Sequence, residues 1–213
     1  MRHVPSISRT LAAAALLVSI VSAPAAAQER SGLIFGATAS DLYGDFIVVR
    51  GDPTWGFLVG AFGETRISQN VAVNLAVNYT QKGGRGFTGT GLLDAESVEL
   101  DLNYVEMPLL VELLLPFGRT WGLMADGGIA AGYNVTCKVK FGGGSKESCK
   151  DTALGGATFE WGLPVGGGLS YNVGDGEMIV FDVRYTWGLN DAVKDANVRN
   201  GTWQFLIRLT GSQ

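Results

Sequence analysis

Histidine, cysteine and carboxylate positions bound the chemistry open to this chain. Its only histidine is His3, inside an N-terminal stretch read below as removed. Nothing then remains to activate a serine for lipid hydrolysis or acyl transfer. Cys137 and Cys149 are the only cysteines, so zinc motifs are absent and neither a metal nor another cofactor is expected. Glu99, Asp101 and Glu160 are the acids that could gather for carboxylate catalysis, but they read more simply as hydrogen-bonded residues of a polar interior. Gly142-Gly143-Gly144-Ser145-Lys146 lacks the spacing of a phosphate loop, and no helix pattern follows it. The residue types point away from an enzyme. The two cysteines flank a loop, and in an exported protein oxidation is the default, so a Cys137–Cys149 disulfide is expected.

Export is read from the N-terminus. Arg2 and Arg9 precede an apolar run over residues 11–23, shorter than the ~20 residues a spanning helix needs, and Ala25-Ala26-Ala27 follow. This is the layout of a secretory signal over residues 1–27, cleaved before Gln28. The mature chain of 213 − 27 = 186 residues then carries 14 basic and 20 acidic residues, a net charge of −6. With no basic run, nucleic acid is not a partner.

The mature chain has no long apolar run although 46% of the full 213-residue sequence is hydrophobic, so its apolar side chains must be distributed periodically. The period is two. Val71, Val73, Leu75, Val77 and Tyr79 alternate with Ala72, Asn74, Ala76, Asn78 and Thr80, a strand with two unlike faces. The same alternation runs through residues 121–137, 159–173, 178–187 and 203–209. Residues 55–66 and 98–115 are strands with less regular faces, and residues 33–39 supply the eighth. In 98–115 the apolar phase changes, which a β-bulge at Tyr104-Val105 would repair; it would also ease Pro108. Short turns near Ser68-Gln69, Pro116 to Gly118 and Gly174 to Gly176 alternate with long loops over 41–53, 83–97, 141–153 and 190–201. An all-β, eight-stranded antiparallel up-and-down transmembrane β-barrel over 28–213, with short periplasmic turns and long extracellular loops, is the expected architecture.

A water-soluble barrel would place its apolar face inside. Here the polar face is rich in Gly, Ala, Asn and Ser, which suits a crowded lumen. Trp55, Tyr79, Tyr133, Trp161, Tyr185, Trp187 and Trp203 fall toward the long-loop rim, and Trp121 and Tyr171 toward the other. Such girdles mark a lipid-facing surface. The expected lumen network is Arg66, Asn74, Asn78, Lys82, Glu99, Asp101, Glu106, Glu112, Asp126, Glu160, Asp182, Arg184 and Arg208, with Glu64. Charges in so narrow a space must pair and would plug it.

Tyr79-Thr80-Gln81-Lys82-Gly83, Tyr104 to Leu110, Gly127 to Tyr133 and Arg184 to Asp191, in their order and spacing, resemble the PorT-type family of outer-membrane β-barrels. That resemblance implies an outer-membrane location, a porin-family fold and insertion by the barrel insertion machinery. A terminal aromatic, usual in such proteins, is missing from Leu209-Thr210-Gly211-Ser212-Gln213, leaving Phe205 and Leu209 to serve. The family implies a fold more than an activity.

The leading expectation is a monomeric, non-enzymatic barrel with a structural or interaction role through its extracellular loops. Its partners would be outer-membrane lipid and lipopolysaccharide, the latter through Lys138, Lys140, Lys146 and Lys150, opposed by Glu147 and Asp151. The alternatives are a narrow gated pore for small solutes and a soluble periplasmic ligand-binding barrel.

Overall fold

The computed structural model describes residues 29–44, 49–50, 53–88, 96–142, 144–149, 158–174, 177–192 and 198–212. The expected signal over 1–27, and Lys150 and Asp151, lie outside them.

Eight long strands form the wall: β1 (Glu29–Gly44), β2 (Thr54–Arg66), β3 (Val71–Thr88), β4 (Glu96–Phe117), β5 (Trp121–Phe141), β6 (Phe159–Gly174), β7 (Glu177–Gly188) and β8 (Val198–Ser212). Each pairs antiparallel with the next, and β1 pairs with β8 through Leu33↔Leu209 and Ala37↔Phe205, so the sheet closes on itself and has no free edge. Two-residue strands at Val49–Arg50 and Glu147–Ser148 add to β3 and β5 on the long-loop side.

Alternation is the reason these segments are strands. Along β7 every second side chain is buried, from Met178 to Gly188. The outward set is apolar: Phe181, Val183 and Trp187 there, Leu109, Val111 and Leu113 on β4, and Phe205, Ile207 and Leu209 on β8 are all exposed. Buried charged and polar side chains occupy the inside. Apolar surface facing outward around a polar core is favourable only where the surroundings are hydrocarbon. The tight turns are at the predicted places, with Gly118 (φ 76°) and Gly174 (φ 121°) taking backbone conformations that cost other residues dearly. Glycine also makes room inside: a Cβ at Gly166 would lie 3.0 Å from that of Arg184.

Three features differ from the sequence expectation. Strands β3, β4 and β5 are 18, 22 and 21 residues long, about twice the ~9–11 that cross a bilayer. Much of the expected 83–97 loop is therefore sheet, to Thr88 and from Glu96. The bulge is on β5 and not at Tyr104-Val105: Asn103 pairs with Thr136 and Tyr104 with Asn134, leaving Val135 as the extra residue. Pro108 is accommodated without a bulge, by a break in the β3–β4 ladder between Leu75↔Leu109 and Asn78↔Glu106, where its missing N–H would have bonded. Pro164 interrupts β5–β6 in the same way, between Gly127↔Val165 and Ala130↔Gly162.

Candidate functional site

The lumen is filled in layers. At the short-turn end Ala72, Leu114, Met124, Met178 and Val180 form an apolar cluster; Ile34, Leu58, Phe62, Ala76 and Leu206 form a second one. Between and around these lie three buried ionic groups.

The first is centred on Lys82. Its Nζ is 2.6 Å from Glu106 Oε1 and 2.6 Å from Glu160 Oε1, and lies 5.1 Å from the centre of the Tyr104 ring. Asn200 donates to the other Glu160 oxygen at 2.9 Å. The second joins Arg184 to Asp126 (Nε to Oδ1, 3.0 Å) and to Asp182 (Nη2 to Oδ2, 2.7 Å). In the third, Arg208 donates to Glu112 at 2.6 Å, contacts the Met124 sulfur and stacks 5.5 Å from the Phe62 ring centre. All these charged groups are buried. Desolvation consumes much of what such pairs gain, but removing one partner leaves a naked charge, which is far worse. Asn74 and Asn78 are buried beside them, Asn74 opposite Glu64 in the ladder. Arg66 is only partly buried, its Nε 4.0 Å from Glu64.

Glu99 and Asp101 are not lumen residues. Both lie on the outer face of β4, where Glu99 accepts from Arg85 at 3.1 Å and Lys146 spans Glu99 (3.5 Å) and Asp101 (2.5 Å). Their cross-strand neighbours on β5 are Lys140 and Lys138. The even positions of β4 stay inside from Leu100 to Leu114, so Leu100, Leu102 and Tyr104 point inward above Glu106. With Leu42, Val139, Cys149 and Ala192 they build an apolar cap on the lumen. The physical reason is height. Above the bilayer the outer face meets water and takes charges, and the inside becomes the dry side. The sequence expectation attached polar side chains to the lumen at every height and therefore missed the cap, Arg85 and Asn200. The uninterrupted even phase from Leu100 to Leu114 was the available signal. Six lumen acids then face the four cations instead of eight: Glu64, Glu106, Glu112, Asp126, Glu160 and Asp182.

Charge pairing on this outer ladder depends on pH. Partial burial of Glu99 works against its charge, but the hydrogen bond from Arg85 and the charge of Lys146 outweigh it and hold its carboxyl below the usual range. Lys146 is raised, first by its hydrogen bond to Asp101. The Glu99 contribution is present at neutral pH and lost as pH falls through its depressed value; the Lys146 contribution is lost only as pH rises through its elevated one. Hydrogen-exchange protection factors of the β4–β5 extension, taken relative to the intrinsic exchange rate at each pH, should therefore fall at both extremes and be highest between them.

Cys137 and Cys149 are disulfide-bonded across 12 positions, with Cα atoms 5.4 Å apart. The bond draws Cys149 into the apolar cap. The double variant Cys137→Ser/Cys149→Ser is expected to lose about 3 kcal/mol of loop-closure stabilisation. Limited proteolysis should then cut between the two positions, while the unboiled barrel should still migrate differently from the boiled protein on detergent gels.

The aromatic rings lie on the outside at both rims. Toward the long loops, Trp55, Tyr133, Trp161, Trp187 and Trp203 are exposed, and Tyr185 packs between Trp187 and Trp203 at 4.7 and 4.9 Å. Tyr79 is half-buried against Phe57 at 5.8 Å. Trp121 and Tyr171 pair at 4.8 Å beside the short turns.

A closed antiparallel ring, greasy outside, ionic inside and banded by aromatic rings, is a membrane-spanning β-barrel. The outer membrane protein beta-barrel domain family model matches residues 13–207, and the chain belongs to that family of outer-membrane proteins. No curated protein matches it significantly. Among solved structures it is similar to Ail, the attachment invasion locus protein of Yersinia pestis, at 18% identity over 86% of this chain and 99% of that one, with a TM-score of 0.44. Neisserial surface protein A is similar at 16% identity over 84% and 96%, with a TM-score of 0.49. OprG of Pseudomonas aeruginosa is similar at 17% identity over 85% and 92%, with a TM-score of 0.47.

Proposed function

We propose that this protein is a closed, non-enzymatic outer-membrane barrel that works through its extracellular extension and conducts no solute. The observation that carries this reading is the filled lumen: buried ion pairs about Lys82, Arg184 and Arg208 lie between an apolar cluster at the short-turn end and an apolar cap at the other. An ion crossing it would have to break those pairs and enter an apolar layer with no compensating ligand.

In this reading the signal over residues 1–27 is removed on export, and the PorT-type branch of the family remains the assignment suggested by its motifs. The outer ladder of Arg85, Lys138, Lys140 and Lys146 meets the phosphates of surface lipopolysaccharide, with Glu99 and Asp101 setting the spacing of the cations. Purified protein reconstituted in planar bilayers is expected to give no steady open-channel current. A large, stable conductance would reject the plug. Exchanging Lys138, Lys140 and Lys146 for Gln is expected to weaken lipopolysaccharide binding, and an unchanged affinity removes that partner.

A further inference from the structure

At the short-turn end, away from the cap, the β4–β5 turn and the start of β1 frame a cavity of about 230 Å³. At ~30 Å³ per water molecule it has room for roughly seven waters, enough for a small charged headgroup. Three guanidinium groups line it from separate parts of the wall: Arg30 on β1, Arg66 at the end of β2, and Arg119 in the turn.

Among the described residues none of the three has a close carboxylate partner. Among the described residues the one hydrogen bond of Arg30 is to the Met178 sulfur, 3.8 Å from Nη1. Arg66 Nε makes no hydrogen bond and stands 4.0 Å from Glu64. Arg119 is exposed and makes no ion pair among the described residues. Among the described residues lining the cavity none is acidic. Glu64 beside Arg66 offsets one charge, so three positive charges less one leave a surplus of two. Cations converging on one small space repel, and an anion with several oxygens relieves that repulsion through the guanidinium forks.

The outer lip of the cavity says where such an anion comes from. Leu115, Trp121 and Leu123 line it too, and all three are exposed on the lipid-facing side. Trp121, packed edge-to-face with Tyr171, marks the headgroup level of the inner, periplasmic leaflet. We infer that this cavity binds the phosphate of an anionic phospholipid of the periplasmic leaflet, with its acyl chains lying along Leu115 and Leu123. A free phosphate shares the recognising chemistry but has no use for the apolar lip.

The test uses the folded mature barrel in phosphate-free non-ionic detergent. Phosphatidylglycerol, phosphatidylcholine or inorganic phosphate is added, and bound species are read by native mass spectrometry. Phosphatidylglycerol should be retained in preference to the other two. Arg119→Gln, at an exposed turn position that leaves folding intact, should weaken retention about tenfold, the scale of one charge-assisted hydrogen bond. Arg30→Gln/Arg66→Gln/Arg119→Gln should abolish the preference, and Arg119→Lys should restore part of what Arg119→Gln loses. Equal retention of the two lipids, or no change in the variants, overturns the site. Binding of inorganic phosphate without lipid retention overturns the lipid as its source.

Discussion

Replacing Lys82 with methionine is expected to destabilise the barrel by about 3–5 kcal/mol, the cost of leaving buried charge without its partner. Two carboxylates converge on this one ammonium, each at 2.6 Å, and among the described residues no other cation pairs with either. Asn200 already donates to Glu160 and reaches only its second oxygen. Methionine keeps the length and apolar stem of the side chain, so the loss reports charge and not volume. The triple variant Lys82→Met/Glu106→Gln/Glu160→Gln should recover most of that stability, because amides of the same shape can bond one another without charge. Both are read from equilibrium unfolding in guanidinium with the protein in lipid vesicles. A loss below about 1 kcal/mol for the single variant, on the scale of an exposed pair, would mean that water reaches Lys82 and that the lumen is not sealed at this level.

The second large effect separates the two environments of one strand. Leu109 and Asn103 lie on the same outward face of β4, six positions apart. Leu109 sits mid-wall between Leu75 and Ile129 of the neighbouring strands, whereas Asn103 lies just above Val105, whose neighbours Tyr79 and Tyr133 belong to the aromatic band. Leu109→Arg should cost about 2–4 kcal/mol, the price of a guanidinium near the bilayer midplane, and Asn103→Arg about 0–1 kcal/mol. The same unfolding measurement decides it. Equal costs at the two positions would remove the membrane boundary from where the aromatic rings put it.

Much of the wall was legible in the residues. Period-two alternation marked five of the eight strands cleanly, residues 55–66 and 98–115 showed it with less regular faces, and Gly118 and Gly174 marked turns because few other residues accept their backbone angles. The pairing of Cys137 with Cys149 followed from there being only two cysteines in an exported chain. The lumen was legible where a strand stays inside the bilayer: Lys82, Glu106, Glu112, Asp126, Glu160, Asp182, Arg184 and Arg208 all point inward. It was misread at Glu99 and Asp101, where the same alternation continues but the surroundings of the outer face change from lipid to water.

Which side chains alternate is a property of the local chain, since successive residues of any strand point to opposite faces, and the amino-acid order alone determined it here. Two things were left to the tertiary structure. One is the partner of each charge: Lys82 meets Glu106 and Glu160 only because the stagger of strands around the ring brings β3, β4 and β6 to one level. The other is height. Leu100 and Leu102 become a cap, and Glu99 and Asp101 an outer ladder, because three strands run on past the hydrocarbon, and no residue-by-residue pattern states how far a strand stands out of the membrane.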